Sequence, residues 1–233
     1  MDARVVAAAL DNARWCHLVC ATQGIVGRFD DDAWVSARRT PSMYPDAVTL
    51  TADVSPKALL ARIDRTAGCS VKDSFSMLDL SDAGFDVLFD AQWLWRPAAA
   101  PLSAGVLRWE RVDQTDDLRA WATEHGAGAT FSPALLDEPS VTIFAAHDDV
   151  GAFAAGAIAT QGDDAIGISN VFAVDGAALT FTEAFAEATA AIAGRFPDRP
   201  IVGYLSTDRL GAAVAAGFET IGPLRIWLLD DES

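Results

Sequence analysis

Two short strand-like runs near the end of the chain carry polar side chains suited to chemistry: Asn170 in SNVFAV, and Tyr204 and Ser206 in IVGYLS. Asparagine offers an amide donor and an acceptor, tyrosine a phenolic proton, serine a hydroxyl. The same residues serve equally well as strand-end ties and packed hydroxyls, so both roles stay open. Glu138 precedes the strand-like VTIFAAH, and Glu183 and Glu187 lie on a helix-like run. Each can act as a general base if burial raises its pKa. Cys16 and Cys20 share a helical face, but no second pair completes a tetrahedral set, so no metal site is expected. His125-Gly126-Ala127-Gly128 has the look of an oxyanion loop, yet no Gly-x-Ser-x-Gly elbow supplies a nucleophile. A hydrolase built on His125 or His147 therefore ranks last, and neither a dinucleotide fingerprint nor a Walker loop is present.

The elements that must position these residues come in a repeated order. Ala83-Gly84-Phe85 returns as Ala216-Gly217-Phe218, followed by DVLFDAQWLWRP in one case and ETIGPLRIWLLD in the other. Upstream of each stand a strand-like run (AVTL or NVFAV), a helix-like stretch, and a second strand-like run (SVKDSF or IVGYLS), which is the signature of a repeated supersecondary unit. Val5, Ala9, Ala13, Cys16 and Cys20 give residues 3–22 an amphipathic helical stripe. Short strands are expected at 25–29 and 33–37. Ser55-Pro56 opens a helix with Leu59, Leu60 and Ile63 inward and Gly68 beyond its end, and Thr115 caps another with Leu118, Trp121 and Ala122 inward. VTIFAAH, AFAAGAIAT and AIGISNVFAV, joined by turn-rich residues, predict an antiparallel meander. Thr180 and Glu183 form a capping box ahead of Phe181, Ala184, Phe185, Ala188, Ala191 and Ile192 at helical spacing. The Pro/Ala/Gly-rich span 96–105 marks the expected join between an N-terminal region, 1–100, and a second domain, 105–233.

Composition narrows the function classes. With 51% hydrophobic residues, seven Trp and twelve Phe, the 233-residue chain can build an ample core. A formal charge of -16 repels phosphate backbones, so a nucleic-acid partner is not expected. No run approaches the roughly 20 apolar residues that span a bilayer, and the start of the chain does not resemble a signal peptide. Three cysteines without an export signal suit reduced thiols in a cytoplasmic protein. The sequence leaves a homo-oligomer open.

Strand, helix, three-stranded meander, helix, strand, helix ending in Gly-Phe, final strand: in this order and in the phrase AAGFETIG, residues 105–233 resemble the GNAT acetyltransferases. Residues 47–96 resemble an abbreviated second copy. The resemblance implies an α/β fold with a mixed, mostly antiparallel sheet flanked by helices, whose N-terminal half is a partial repeat. It also implies acetyl-CoA as cofactor and a small amine as the partner that accepts the acyl group by direct attack in a ternary complex. In such proteins the strand ending the meander splays from the next, and its free backbone groups hold the pantetheine. The turn that follows presents amides to the pyrophosphate. Mapped here, the resemblance assigns cofactor contacts to Phe172, Ala173, Val174, Gly176, Ala177 and Thr207, and substrate contacts to Asn170 and Ser206. Tyr204 is a candidate acid and Glu138 a candidate base beside Glu183 and Glu187, with the base assignment open. The residue at the family's usual proton-donating tyrosine is Ala213. The turn 175–180 has one glycine, an aspartate (Asp175) and no basic residue, which works against an anion. The final strand is short of the usual closing hairpin and interrupted by Gly222-Pro223. A catalytically inactive module for ligand sensing or protein assembly is the alternative.

Overall fold

A computed structural model describes residues 2–98, 100, 107–148 and 150–230. Most of the expected join at 96–105, together with Asp149 and Asp231, lies outside the described residues. The chain forms two compact units: Met1–Trp93 with Ile221–Ser233, and Leu94–Thr220. One border, between Trp93 and Leu94, falls inside the strand Asp86–Arg96. The other falls inside the last strand, where composition gives no signal.

In the first unit, α1 (Ala3–Thr22) is followed by β1 (Arg28–Phe29), β2 (Ala33–Val35), β3 (Ala47–Thr49), α2 (Pro56–Leu60), β4 (Cys69–Asp73) and β5 (Asp86–Arg96). The strand β11 (Glu219–Leu229) returns from the end of the chain to pair antiparallel with β4, Arg225 opposite Asp73 and Leu229 opposite Cys69. The order is β1-β2-β3-β4-β11-β5; β3 and β4 run parallel, while β1-β2, β2-β3 and β4-β11 are antiparallel. Strand alternation puts helices on both faces. Val71 joins Leu59 and Leu60 of α2 in a buried cluster with Phe85 and Trp227. The adjacent Lys72 reaches Asn12 of α1 instead, Nζ to Oδ1 at 2.7 Å.

In the second unit, β6 (Arg108–Arg111), α3 (Thr115–His125), β7 (Val141–His147), β8 (Phe153–Gln161), β9 (Ile166–Ala173), α4 (Phe181–Arg195), β10 (Ile201–Ser206) and α5 (Leu210–Ala215) follow in sequence. The expected meander is present: β6-β7-β8-β9 are antiparallel neighbours, and β10 lies parallel to β9. Helix α4 forms because Thr180 and Glu183 satisfy each other's backbone N–H groups while Ala184, Phe185, Ala188 and Ile192 bury one stripe. That stripe packs on Ile166, Ile168 and Ile201, with Leu94 from the end of β5 in the same core. Burying side chains such as Phe185 and Ile192 stabilises the fold by about 1.5–3 kcal/mol each.

The two Gly-Phe phrases behave alike. Gly84 and Gly217 have φ of 85° and 80°, and each is followed by a buried Phe and an eleven-residue strand. Exposure falls in the same order along both strands, with Ala91, Trp93 and Leu94 matching Leu224, Ile226 and Trp227 as buried positions.

Three local expectations need correction. Helix α2 ends at Leu60 and does not reach Ile63. The guanidinium of Arg62 turns back to Asp30 and Asp32, at 3.0 and 2.7 Å, which favours leaving the helix over extending it. Thr115 is the first helical residue of α3, and Gln114 occupies the cap without a side-chain bond to the helix backbone. Gly222-Pro223 does not interrupt the final strand, because Pro223 is exposed and precedes the Arg225–Leu229 ladder.

Candidate functional site: a fork between two parallel strands

Strands β9 and β10 are in register at only two positions, Ile201 with Ile166 and Val202 with Gly167. Beyond them no pairing continues, although β9 runs on to Ala173 and β10 to Ser206. Burial follows the parting. Both strands are buried where they pair, and from Ser169 and Gly203 onward every residue of both is half-buried. At the crotch Gly203 is tight: a Cβ there would stand 2.8 Å from the carbonyl oxygen of Ile168. The fork therefore opens backbone N–H and C=O groups of a strand interior, which are obligatory hydrogen-bonding groups.

A bulge marks the same place. Two steps along β8, Gly156 to Ile158, face three along β9, Phe172 to Ser169. Asn170 takes the strain with φ 53°, a conformation asparagine tolerates better than most residues. Its Nδ2 donates to Ser169 Oγ at 2.9 Å. Tyr204 is half-buried on β10, and Ser206 ends that strand with its hydroxyl bonded to the Asp208 carboxylate, which lowers the Asp208 pKa. Asn170, Phe172 and Ala173 thus lie on β9, and Tyr204 and Ser206 on β10, beyond the last paired positions. Thr207 starts the turn leaving β10, and Val174, Gly176 and Ala177 form the turn leaving β9, where the Ala177 N–H donates to the Val174 carbonyl at 3.0 Å.

The carboxylates fare differently. Glu138 stands before Val141, whose register runs through Thr160 and Gly167 to Val202. It lies at the closed end of the strand pair, and the structure does not bring it to the open end. Glu183 accepts from Thr180 N and Oγ1, both at 2.7 Å, and these bonds hold its carboxyl below the usual range. Glu187 accepts from Leu107 N and Trp109 Nε1 at 3.3 and 3.4 Å. Ala213 is buried in the core. The thiols of Cys16, Cys20 and Cys69 are all buried, and burial pushes the first up to about 11 and the other two to about 12. Among the described residues no three His, Cys, Asp or Glu side chains gather as a metal would need, and no helix is long and apolar enough to cross a membrane.

One residue at the fork has no counterpart in the sequence reading. Arg209, in the turn Thr207–Arg209 after β10, stacks its guanidinium over Phe181, 4.4 Å from the ring centroid. Phe181 is the first residue of α4. A cation thus stands at the start of the helix that follows the turn 175–180, although that turn contains none. Sequence proximity hides this, because Arg209 arrives from the far side of the fork.

No family model matches the chain, and no curated protein matches it. Solved structures do. A GCN5-related N-acetyltransferase from Kribbella flavida matches with TM-score 0.66 at 16% identity, over 97% of this chain and 96% of its own. A conserved protein of unknown function from Staphylococcus epidermidis matches at 0.57 with 11% identity, over 88% and 93%. A protein from Novosphingobium aromaticivorans assigned to the GNAT family of acetyltransferases matches at 0.55 with 14% identity, over 97% and 99%. At these identities the likeness speaks for architecture. With its meander, its parallel fork and helices on both faces, the chain has the fold of the GCN5-related N-acetyltransferases.

Proposed function

We propose that the protein transfers an acyl group, acetyl in the simplest case, from acyl-CoA to an amine at the β9–β10 fork. The observation that carries this is the parting of two parallel strands after Val202, which leaves strand backbone open in the middle of a folded unit. The backbone of 171–174 would pair with the amides of the pantetheine arm, and Asn170 and Ser206 would orient substrate. The cofactor would supply an activated thioester carbonyl. Tyr204 Oη is the proton donor of this scheme, in place of the side chain missing at Ala213. The residues present fit the arm well and the diphosphate less simply. Asp175 repels it, and Arg209 over Phe181 offers the compensating cation. The base that takes the amine proton is not assigned, because Glu138, Glu183 and Glu187 are distant or engaged.

The second reading, a module without turnover, rests on Asp175 in the turn and on Ala213. Thermal melting with acetyl-CoA separates the two. A ligand at a hundred times its Kd stabilises by about 2.7 kcal/mol. A rise in Tm followed by CoA release with an amine supports transfer. A rise without turnover for any amine supports a sensor, and no rise removes acyl-CoA from either account.

A further inference from the structure

A cavity of about 320 Å³ lies between α3 and the β6-β7-β8 edge of the second unit. Its volume suits a small organic molecule. Val112, Ala120, Trp121, Ala145 and Phe153 make its apolar wall, and Glu110, Asp117, Arg111 and His147 its polar positions. The cavity is in register with the fork. Glu110 pairs with Ala145, Ala145 with Gly156, and Gly156 with Phe172, so one row of same-face residues runs from the cavity to the bulged part of β9. At strand spacing, the two steps from Ala145 to Phe172 cover about 10 Å.

Aromatic rings pave that row. Trp121 meets Phe172 edge-on at 5.0 Å between centroids, and Phe172 meets Phe153 at 5.8 Å. Gly156 makes this possible, since a Cβ there would stand 2.3 Å from the Phe172 ring and 2.4 Å from the indole nitrogen of Trp121. His147 packs against Phe153, and its Nδ1 is buried with no hydrogen-bond partner among the described residues.

The charge balance tips towards cations. Between Arg108 and Arg119 the chain carries Glu110, Asp113, Asp116 and Asp117 against Arg108, Arg111 and Arg119. Arg108 and Arg119 are already engaged, with Glu110 at 3.0 Å and with Asp116 at 2.5 Å. The same pairs occupy Glu110 and Asp116, which leaves Asp113 and Asp117 against Arg111, with Asp117 and Arg111 both lining the cavity, in a protein of formal charge -16. Aromatic walls and carboxylates together favour an organic ammonium group.

We infer that this cavity binds an organic cation and anchors the far, charged end of an amine substrate whose reacting nitrogen lies about two strand spacings away, at the fork. The anchoring role rests on the transferase reading, whereas cation binding does not. The test is an NMR titration of the full chain without acyl-CoA, following the Trp121 indole N–H, with 2-phenylethylamine, the uncharged 2-phenylethanol and the anionic 3-phenylpropanoate. The amine is expected to bind about tenfold more tightly than the alcohol, the scale of one charge-assisted hydrogen bond. Asp117→Asn should remove most of that preference, and Ala120→Phe, which fills the cavity from an exposed helix position, should abolish binding. Equal affinity for amine and alcohol, preference for the anion, no binding by any of the three, or amine binding untouched by Ala120→Phe would each overturn the inference. Acetyl-CoA melting on the same preparations separates the two claims. An acetyl-CoA shift without amine binding fails the anchor alone, and amine binding without a shift fails the transferase.

Discussion

Both units contain a parallel strand pair joined through a helix, and the two pairs end differently. In the first unit β3 stops at Thr49 and β4 at Asp73. The opening is stitched at once: Thr49 Oγ1 accepts from Ser74 N at 2.8 Å, and Trp93 Nε1 donates to the Ser74 carbonyl at 2.7 Å. Asp73 turns its carboxylate onto the N–H groups of Phe75 and Leu78, and burial raises its pKa. Thr49, Lys72, Asp73 and Ser74 are all buried. In the second unit the strands run on after parting, with no further register between β9 and β10. The same order of elements thus yields a closed fork and an open one. What marks the closed one is that side chains satisfy the backbone its parting strands expose.

Breaking the stitch should give the largest effect. Thr49→Val keeps shape and removes the acceptor for a buried N–H, so denaturant melting should show a loss of about 1–3 kcal/mol. Acetyl-CoA affinity per folded molecule should stay unchanged, and a loss of affinity would mean that the closed fork also serves binding. Next is the bulge of the open fork. Asn170→Val forces a β-branched residue to positive φ and should cost about 1–2 kcal/mol, while Asn170→Gly should retain the wild-type Tm. Equal stability of the two variants would show that β9 does not need its bend.

Arg209→Ala tests the cation of the open fork and should weaken acetyl-CoA about tenfold. Binding of acetyl-pantetheine, which lacks the diphosphate, should not change. Equal losses for both ligands would move Arg209 from the diphosphate to the arm.

The smallest effect is a pH dependence present in both units. Burial lowers the pKa of His17 and of His125. His17 accepts from Trp34 Nε1 at Nδ1, 3.1 Å, and His125 lies flat on Trp121 at 5.2 Å. A folded pKa below the unfolded one means that the unfolded chain binds more protons in between. Stability is therefore full above about pH 6.5 and falls as the pH drops through that value towards the folded pKa values. His125→Phe keeps a ring on Trp121 and should flatten part of the slope. His17→Phe should flatten another part while also lowering Tm, since Trp34 loses its acceptor. A melting profile flat from pH 7 to about pH 5 in the wild type would contradict both assignments.

Much of the fold was legible because its signals are local. The capping box at Thr180, the turns between the meander strands and the Gly-Phe phrases each report on a few neighbouring residues, and all lie where expected. The end of helix α2 was not legible because the partners of Arg62, Asp30 and Asp32, are far away in sequence. The candidate site divides the same way. Asn170, Tyr204 and Ser206 stand out by residue type on recognisable strands. Arg209 does not, because its value depends on standing over Phe181.

By itself the sequence determined the elements, their order and the hydrophobic faces they bury, since periodicity and capping act over a turn or two of chain. Only the tertiary structure decided that β3 and β4 close while β9 and β10 open, and that β11 pairs with β4. Those outcomes depend on contacts between residues distant in sequence, such as Thr49 with Ser74.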